Sequence, residues 1–261
     1  MPTLSALNSE THFETFFQDP VYLDFKNHLY NYQRRRYEVR KALEGERETG
    51  ILLEIGSGVS PISDGLEGVV LTDISAEAMK YLKLSGLAQN SFAMSATELC
   101  FKDQSISTIV CSEVIEHIQD DTKALSEMSR VLKKGGSLIL TVPLHSYFYL
   151  WDDSFVKHYR RYEIDSLLKQ LSDQGFGSFR LSKVTAILDK ATQMLLVLLF
   201  RLVNAFPRSK RETALRHHLL RLILPFYKVS NRIYSFLVKW EAKIMPLPFT
   251  TVLLISCKKN R

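Results

Sequence analysis

Cysteine is scarce in this chain of 261 residues: Cys100, Cys111 and Cys257 are the only three, an odd number with no C-x-x-C spacing. That pattern excludes a disulfide framework and a cysteine-bound zinc, and it predicts a reducing compartment. Glycine (11) and proline (8) are too few for a collagen-like or low-complexity chain. Met1–Glu10 is polar and lacks the basic-then-apolar layout of a secretory leader, so a cytoplasmic location is expected. Long apolar runs are missing as well. The longest in the most apolar region, Met194–Phe200, has seven residues, against the roughly twenty that span a bilayer.

What is present is an ordinary globular composition, 46% apolar and 24% charged, enough for one packed core with an extension. The net charge of +6 is unevenly placed. Residues 186–248 carry eleven Lys/Arg against three Asp/Glu, and the last thirteen residues add three cations. The first 185 residues therefore carry −5. A mildly acidic body joined to a basic, apolar segment implies an anionic partner for that segment.

Apolar positions at helical spacing (Tyr22, Phe25, Leu29, Tyr32, Val39) predict a helix over 19–45, and the arginines on its polar side read as a solvated basic face. Short apolar runs follow, bounded by turn residues: Ile51–Ile55, Val69–Thr72, Ser91–Met94, Ser107–Cys111, Ser137–Val142, Ser178–Val184 and Phe249–Ser256. Helices are expected at Thr122–Leu132, stopped by Lys133-Lys134-Gly135-Gly136, and at Glu163–Gln174. Strands alternating with helices predict an α/β fold, a Rossmann-like doubly wound sheet of about seven mostly parallel strands. It has an N-terminal helix and a helical insertion before the last strand. The expected units are 1–50, 51–185 with 249–261, and the insertion 186–248.

Ligands of such sheets sit beyond the carboxyl ends of the strands. There the sequence places Glu54-Ile55-Gly56-Ser57-Gly58, Asp73-Ile74 and Ser112-Glu113. Glycines let backbone approach a ligand, and a carboxylate at the next strand tip suits the two hydroxyls of a ribose. Pro61 stands where a dinucleotide fingerprint needs its third glycine, and no Gly-Lys-Ser/Thr phosphate loop occurs. Four segments in order, Glu54–Gly58, Asp73-Ile74-Ser75, Cys111–Ile118 and Leu132–Gly136, resemble the motifs of the class I S-adenosylmethionine-dependent methyltransferases, over about half the chain. The resemblance implies that Glu54, Gly56, Ser57, Gly58, Asp73, Ile74, Ala96 and Ser112 line the cofactor S-adenosylmethionine, with Asp73 on the ribose. Ser60 replaces the family's third glycine, and about ten residues separate Gly58 from the next strand. The usual first helix is therefore expected to be very short or missing.

Methyl transfer to a hydroxyl needs alignment and a base, and His117, His145 and His158 are the candidates. Glu113-x-x-Glu116-His117 resembles a pattern that holds a divalent ion in ubiquinone-pathway O-methyltransferases, which implies Mg²⁺ or Zn²⁺ on Glu113, Glu116 and His117. His158-Tyr159-Arg160-Arg161-Tyr162 resembles a segment of bacterial methyltransferases of surface-glycan and lipid pathways. Glu113, Arg160, Arg161 and Tyr162 are the substrate candidates, the arginines as a clamp for phosphate or carboxylate. Packing of that segment on its own domain is an equal alternative. The Asn/Asp-Pro-Pro-Tyr of base-amine methylases is absent, which disfavours nucleic acid.

In the insertion, Lys228, Arg232 and Lys239 edge a broad aromatic face that includes Phe226, Phe236 and Trp240. This predicts a helix lying in the headgroup layer, peripheral on the cytoplasmic face of a membrane. A helical cap or a dimer interface is the other reading; the oligomeric state is open. The expected activity is O-methylation of a small-molecule, lipid-linked, isoprenoid or glycan acceptor. A quinone-type enzyme with a metal, and a non-catalytic cofactor-binding module on lipid or RNA, are the alternatives.

Overall fold

The computed structural model of the protein describes residues 27–47, 49–204 and 210–260. Part of the helix expected over 19–45 lies outside them. The helix that is described, α1, runs Tyr30–Glu46. Leu29 before it is extended, and the Tyr30 amide donates to Asn231 Oδ1 (3.1 Å) from a helix two hundred residues on. A tertiary cap fixes this start, which local periodicity cannot show.

Seven strands form one sheet in the order β3-β2-β1-β4-β5-β7-β6. They are β1 Leu52–Ile55, β2 Val69–Asp73, β3 Ser91–Ala93, β4 Ile106–Ser112, β5 Leu132–Pro143, β6 Phe176–Thr185 and β7 Val252–Lys259. The pairs β1–β2, β1–β4, β2–β3 and β4–β5 are parallel, while β7 runs antiparallel to both its neighbours. This is the expected doubly wound architecture. Central strands covered on both faces read as continuous apolar runs, and all four residues of β1 are buried.

Alternate side chains supply the two faces. Leu53, Ile109, Leu140 and Ile255 pack on Leu125 and Met128 of α3 (Asp121–Val131) and Leu167 of α5 (Ile164–Asp173). Leu52, Val110, Ile139 and Leu254 pack instead on Val39 and Leu43 of α1. Each such burial is worth about 1.5–3 kcal/mol. The helix α2 (Ala76–Leu84) is capped by Ser75, whose hydroxyl accepts the Ala78 amide. The stretch between Gly58 and β2 makes turns and no helix, as expected from Pro61 and Gly65.

Lys133–Gly136 was expected as a helix stop. The helix ends at Val131, but the four residues belong to β5, with an irregularity in its register against β4 between Ile106 and Thr108. A Cβ on Gly136 would stand 2.9 Å from the carbonyls of Lys133 and Ser107, so close backbone approach explains this glycine. Between β6 and β7 run α6 (Ile187–Asn204) and α7 (Lys210–Ile244). No helix among the described residues is long and apolar enough to cross a membrane.

Candidate active site

After β1 the chain turns through Gly56 and Gly58, with φ of 72° and 54°. Glycine adopts this region without steric cost. A Cβ on Gly56 would lie 2.3 Å from Val114 Cγ2, so its smallness first serves packing against the loop after β4. The Gly56 and Ser57 amides donate to Thr72 O (2.7 and 3.1 Å). The Gly58 amide donates to Asp73 Oδ2 (2.8 Å) and that of Ser75 to Asp73 Oδ1 (2.9 Å). Asp73 is half-buried and ties the two strand tips together. A carboxylate at a strand tip is the kind of acceptor that suits the hydroxyls of a ribose. Ile74 beside it is exposed, as a residue flanking a ligand must be, whereas Ala96 is turned into the core.

Glu54, expected beside the cofactor, lies behind the glycine turn. It is buried, and its carboxylate accepts from the amides of Ile62 and Ser63 (2.8 Å each) and from the Ser63 hydroxyl. Burial raises its pKa against the pull of these bonds. Its role is to fold the loop behind the glycine turn.

At the tip of β4, Ser112 Oγ lies 2.8 Å from Thr141 Oγ1, which also donates to Glu113 Oε1 (3.3 Å). Glu113 has φ of 55°, and Arg35 Nη1 of α1 lies 3.8 Å from its Oε2. The basic face of α1 is thus not simply solvated: Arg40 Nε donates to Ile62 O (2.9 Å), so the helix straps the glycine loop. Five non-glycine residues among those described have positive φ, and three of them, Glu113, His145 and Lys157, stand along this carboxyl edge of the sheet. Such strain collects at functional sites.

Next to Glu113 the loop 115–117 meets the segment after β5. His117 and His158 pack edge to face with ring centroids 4.6 Å apart. His158 Nδ1 lies 2.8 Å from Asp153 Oδ1, and its Nε2 is 4.0 Å from Glu116 Oε1. Asp153 belongs to α4 (Trp151–Phe155) and also receives Arg161 Nε (2.8 Å) and Lys190 Nζ (2.6 Å). Burial alone would raise the Asp153 pKa, but the His158 bond and the charges of Arg161 and Lys190 hold it well below the carboxylate range. Burial and then the Glu113 charge push Glu116 well above that range; neither of its oxygens has a hydrogen-bond partner. Burial and the neighbouring His158 push His117 down to about 3.

Other expected site residues are placed elsewhere. His145 is buried with Nδ1 3.2 Å from Glu163 Oε2 and Nε2 3.2 Å from Leu247 O, so both nitrogens serve the fold. Arg161 is buried, its guanidinium spent on Asp153 and the carbonyls of Leu144 and Thr251. Arg160 pairs with Asp121 (2.9 Å) and donates to Gln119 O, and the Tyr162 hydroxyl donates to Asp121 Oδ2 (2.8 Å). The arginine pair clamps the protein's own acids, as the packing alternative anticipates. The metal set is corrected too: Glu116, His117 and His158 have ligating atoms within 4.8 Å of one another, while Glu113 is turned to Thr141 and Arg35. Two imidazoles do not fit Mg²⁺, which takes oxygen ligands; with one carboxylate they fit an ion such as Zn²⁺.

Sequence reading missed Asp153, Lys190 and Arg35. The signal for the first two was a pair of acids, Asp152-Asp153, with a lysine in an otherwise apolar helix. Arg35 gave none, since one arginine in a run of three looks like its neighbours.

Residues 53–140 match the family described as a methyltransferase domain. The chain is 31% identical over 107 residues to a demethylmenaquinone methyltransferase of Renibacterium salmoninarum, covering 41% of this chain and 45% of the relative. It is 28% identical over 160 residues to a probable S-adenosylmethionine-dependent methyltransferase of Mycobacterium tuberculosis, covering 59% and 57%. It spans about half the length of the curated relatives it matches. A solved structure from Thermotoga maritima, titled a possible histamine N-methyltransferase, aligns with a TM-score of 0.60 at 16% identity, covering 97% of this chain and all of that one. The fold is thus that of S-adenosylmethionine-dependent methyltransferases, and residues 53–140 are similar to a methyltransferase domain.

Proposed function

We propose that the protein is an S-adenosylmethionine-dependent methyltransferase that methylates a hydroxyl of a lipid-linked, isoprenoid or glycan acceptor at a membrane surface. The observation that carries the cofactor reading is the Asp73 carboxylate, fixed by the Gly58 amide at the tips of β1 and β2 and beside exposed Ile74. When bound, the cofactor supplies a methyl group already activated on a sulfonium. The chain's work is to grip the ribose with Asp73, seat the adenosyl part on the glycine turn and accept the acceptor's proton.

His158 takes that proton at Nε2. Asp153 on Nδ1 fixes the tautomer and orientation and, remaining ionised, stabilises the imidazolium that forms; this is the usual division of labour between base and orienting acid. Burial keeps His117 neutral beside the base and raises the Glu116 pKa well above the carboxylate range. Incubation with labelled S-adenosylmethionine and fractionated cell lipids, glycans and RNA tests the proposal. Label in a lipid or glycan fraction with release of S-adenosylhomocysteine supports it; label in RNA alone, or cofactor binding without turnover, refutes it.

A second reading, a quinone-type O-methyltransferase with a divalent metal, is favoured by a relative named a ubiquinone biosynthesis O-methyltransferase and by the buried Glu116 carboxyl, which has no hydrogen-bond partner. Glu116, His117 and His158 would hold the ion, which would lower the pKa of an acceptor hydroxyl. Metal content after purification without chelator decides it: one equivalent lost in Glu116→Gln supports a metal, and none in the wild type rules it out.

A further inference from the structure

Among the described residues, helix α7 packs one face over 224–244 on the body and leaves the other exposed. Asn231, Val238 and Ala242 are buried against the body, where the Tyr30 ring meets Tyr234 edge to face at 4.7 Å. Opposite them, Phe226, Val229, Ile233, Phe236, Trp240 and Ile244 fall at steps of three and four and are 59–82% exposed. One unbroken apolar stripe of 19 residues is roughly 28 Å long at helical rise. Soluble surfaces rarely carry a patch of this extent without a partner.

The charges beside the stripe say which partner. Lys228, Arg232 and Lys243 are exposed along it, and Lys239 lies over the Tyr37 ring at 4.4 Å. The only acid between residues 224 and 249 is Glu241, which is buried and accepts the Leu188 amide (2.9 Å). A face of aromatics and aliphatics rimmed by cations alone complements an anionic lipid surface, with the apolar side chains in the acyl boundary and the ammonium groups among phosphates. The stripe also leads to the carboxyl edge of the sheet. It continues through exposed Leu247 and Phe249 to Tyr147, whose hydroxyl donates to Pro248 O and whose ring stacks on His145. A groove of about 560 Å³ between α1, α6 and α7, walled by Ile233 and Leu237, extends the same apolar surface inward.

We infer that the exposed face of α7, continued through Leu247 and Phe249, docks the protein on an anionic bilayer with the carboxyl edge of its sheet at the membrane surface. The inference deepens the reading above and rests on it only for the acceptor's route.

Co-sedimentation of the full chain with vesicles of phosphatidylglycerol and phosphatidylcholine, against phosphatidylcholine alone, tests it, with calorimetry for S-adenosylmethionine on the same preparations. Binding is expected to the anionic vesicles and to fall steeply with salt. Each of Lys228→Ala, Arg232→Ala and Lys243→Ala should weaken it about fivefold. Phe236→Glu with Trp240→Glu should weaken it by at least about a hundredfold, with cofactor binding kept. Equal recovery in the supernatant with and without vesicles overturns the inference. So does a wild-type dimer that becomes a monomer in the stripe variant, because a second copy would then cover the face. Cofactor binding without vesicle binding refutes docking while leaving the methyltransferase reading intact.

Discussion

Asp153 gathers His158, Arg161 and Lys190 within one carboxylate's reach, and the orientation of His158 depends on it. His158→Gln removes the proton acceptor and should lower kcat by about 10²–10⁴-fold with little change in cofactor affinity. Asp153→Asn should follow it while shifting the pH–rate profile, which a purely structural loss would not do. His117 gives a stability prediction. Its folded pKa of about 3 lies below the ordinary 6.5, so the unfolded chain takes up a proton first as pH falls. Its contribution is present above pH 6.5 and is lost progressively toward 3, at about 1.4 kcal/mol per pH unit. With chelator present, urea unfolding should show the wild type losing about 2 kcal/mol more than His117→Gln between pH 6.5 and 5. Parallel losses would show that His117 is not buried neutral. Neither role could be read from sequence: three histidines were candidates, and only the Asp153 bond separates His158 from the fold-bound His145.

At the scale of elements, α6 is fastened to the site by Lys190. Its ammonium lies 2.8 and 2.7 Å from the two Asp152 oxygens and 2.6 Å from Asp153. All three residues are buried. Removing one partner from such a cluster costs about 3–5 kcal/mol because charge is left unpaired. Lys190→Met should therefore lower Tm by roughly 10 °C. Adding Asp152→Asn should recover part of the loss, as a double-mutant cycle reads directly; no recovery would mean the pair is not coupled. The strands were legible because buried parallel strands are short apolar runs, and the missing first helix was legible from Pro61 and Gly65. The start of α1, the contact of Arg35 with Glu113 and the strap that Arg40 makes over the glycine loop were not, since their causes lie far along the chain or in backbone carbonyls.

Over the whole molecule, the acidic body and the basic segment of the sequence map onto different surfaces: cofactor chemistry at the strand tips, and a cation-rimmed apolar helix beside it. The glycine turn and the strand-tip acid were legible because they are local features. The acceptor half of the site was not, because Arg160, Arg161 and Tyr162 spend themselves on internal acids. The central claim concerns Asp73, where losing charge-assisted hydrogen bonds is worth about 1.5–3 kcal/mol, or roughly 10- to 150-fold in affinity. Titration calorimetry of S-adenosylmethionine into the wild type and Asp73→Ala tests it most directly. One saturable site per chain is expected, weakened at least about tenfold in the variant; no binding to the wild type, or equal affinity for the two proteins, would contradict it.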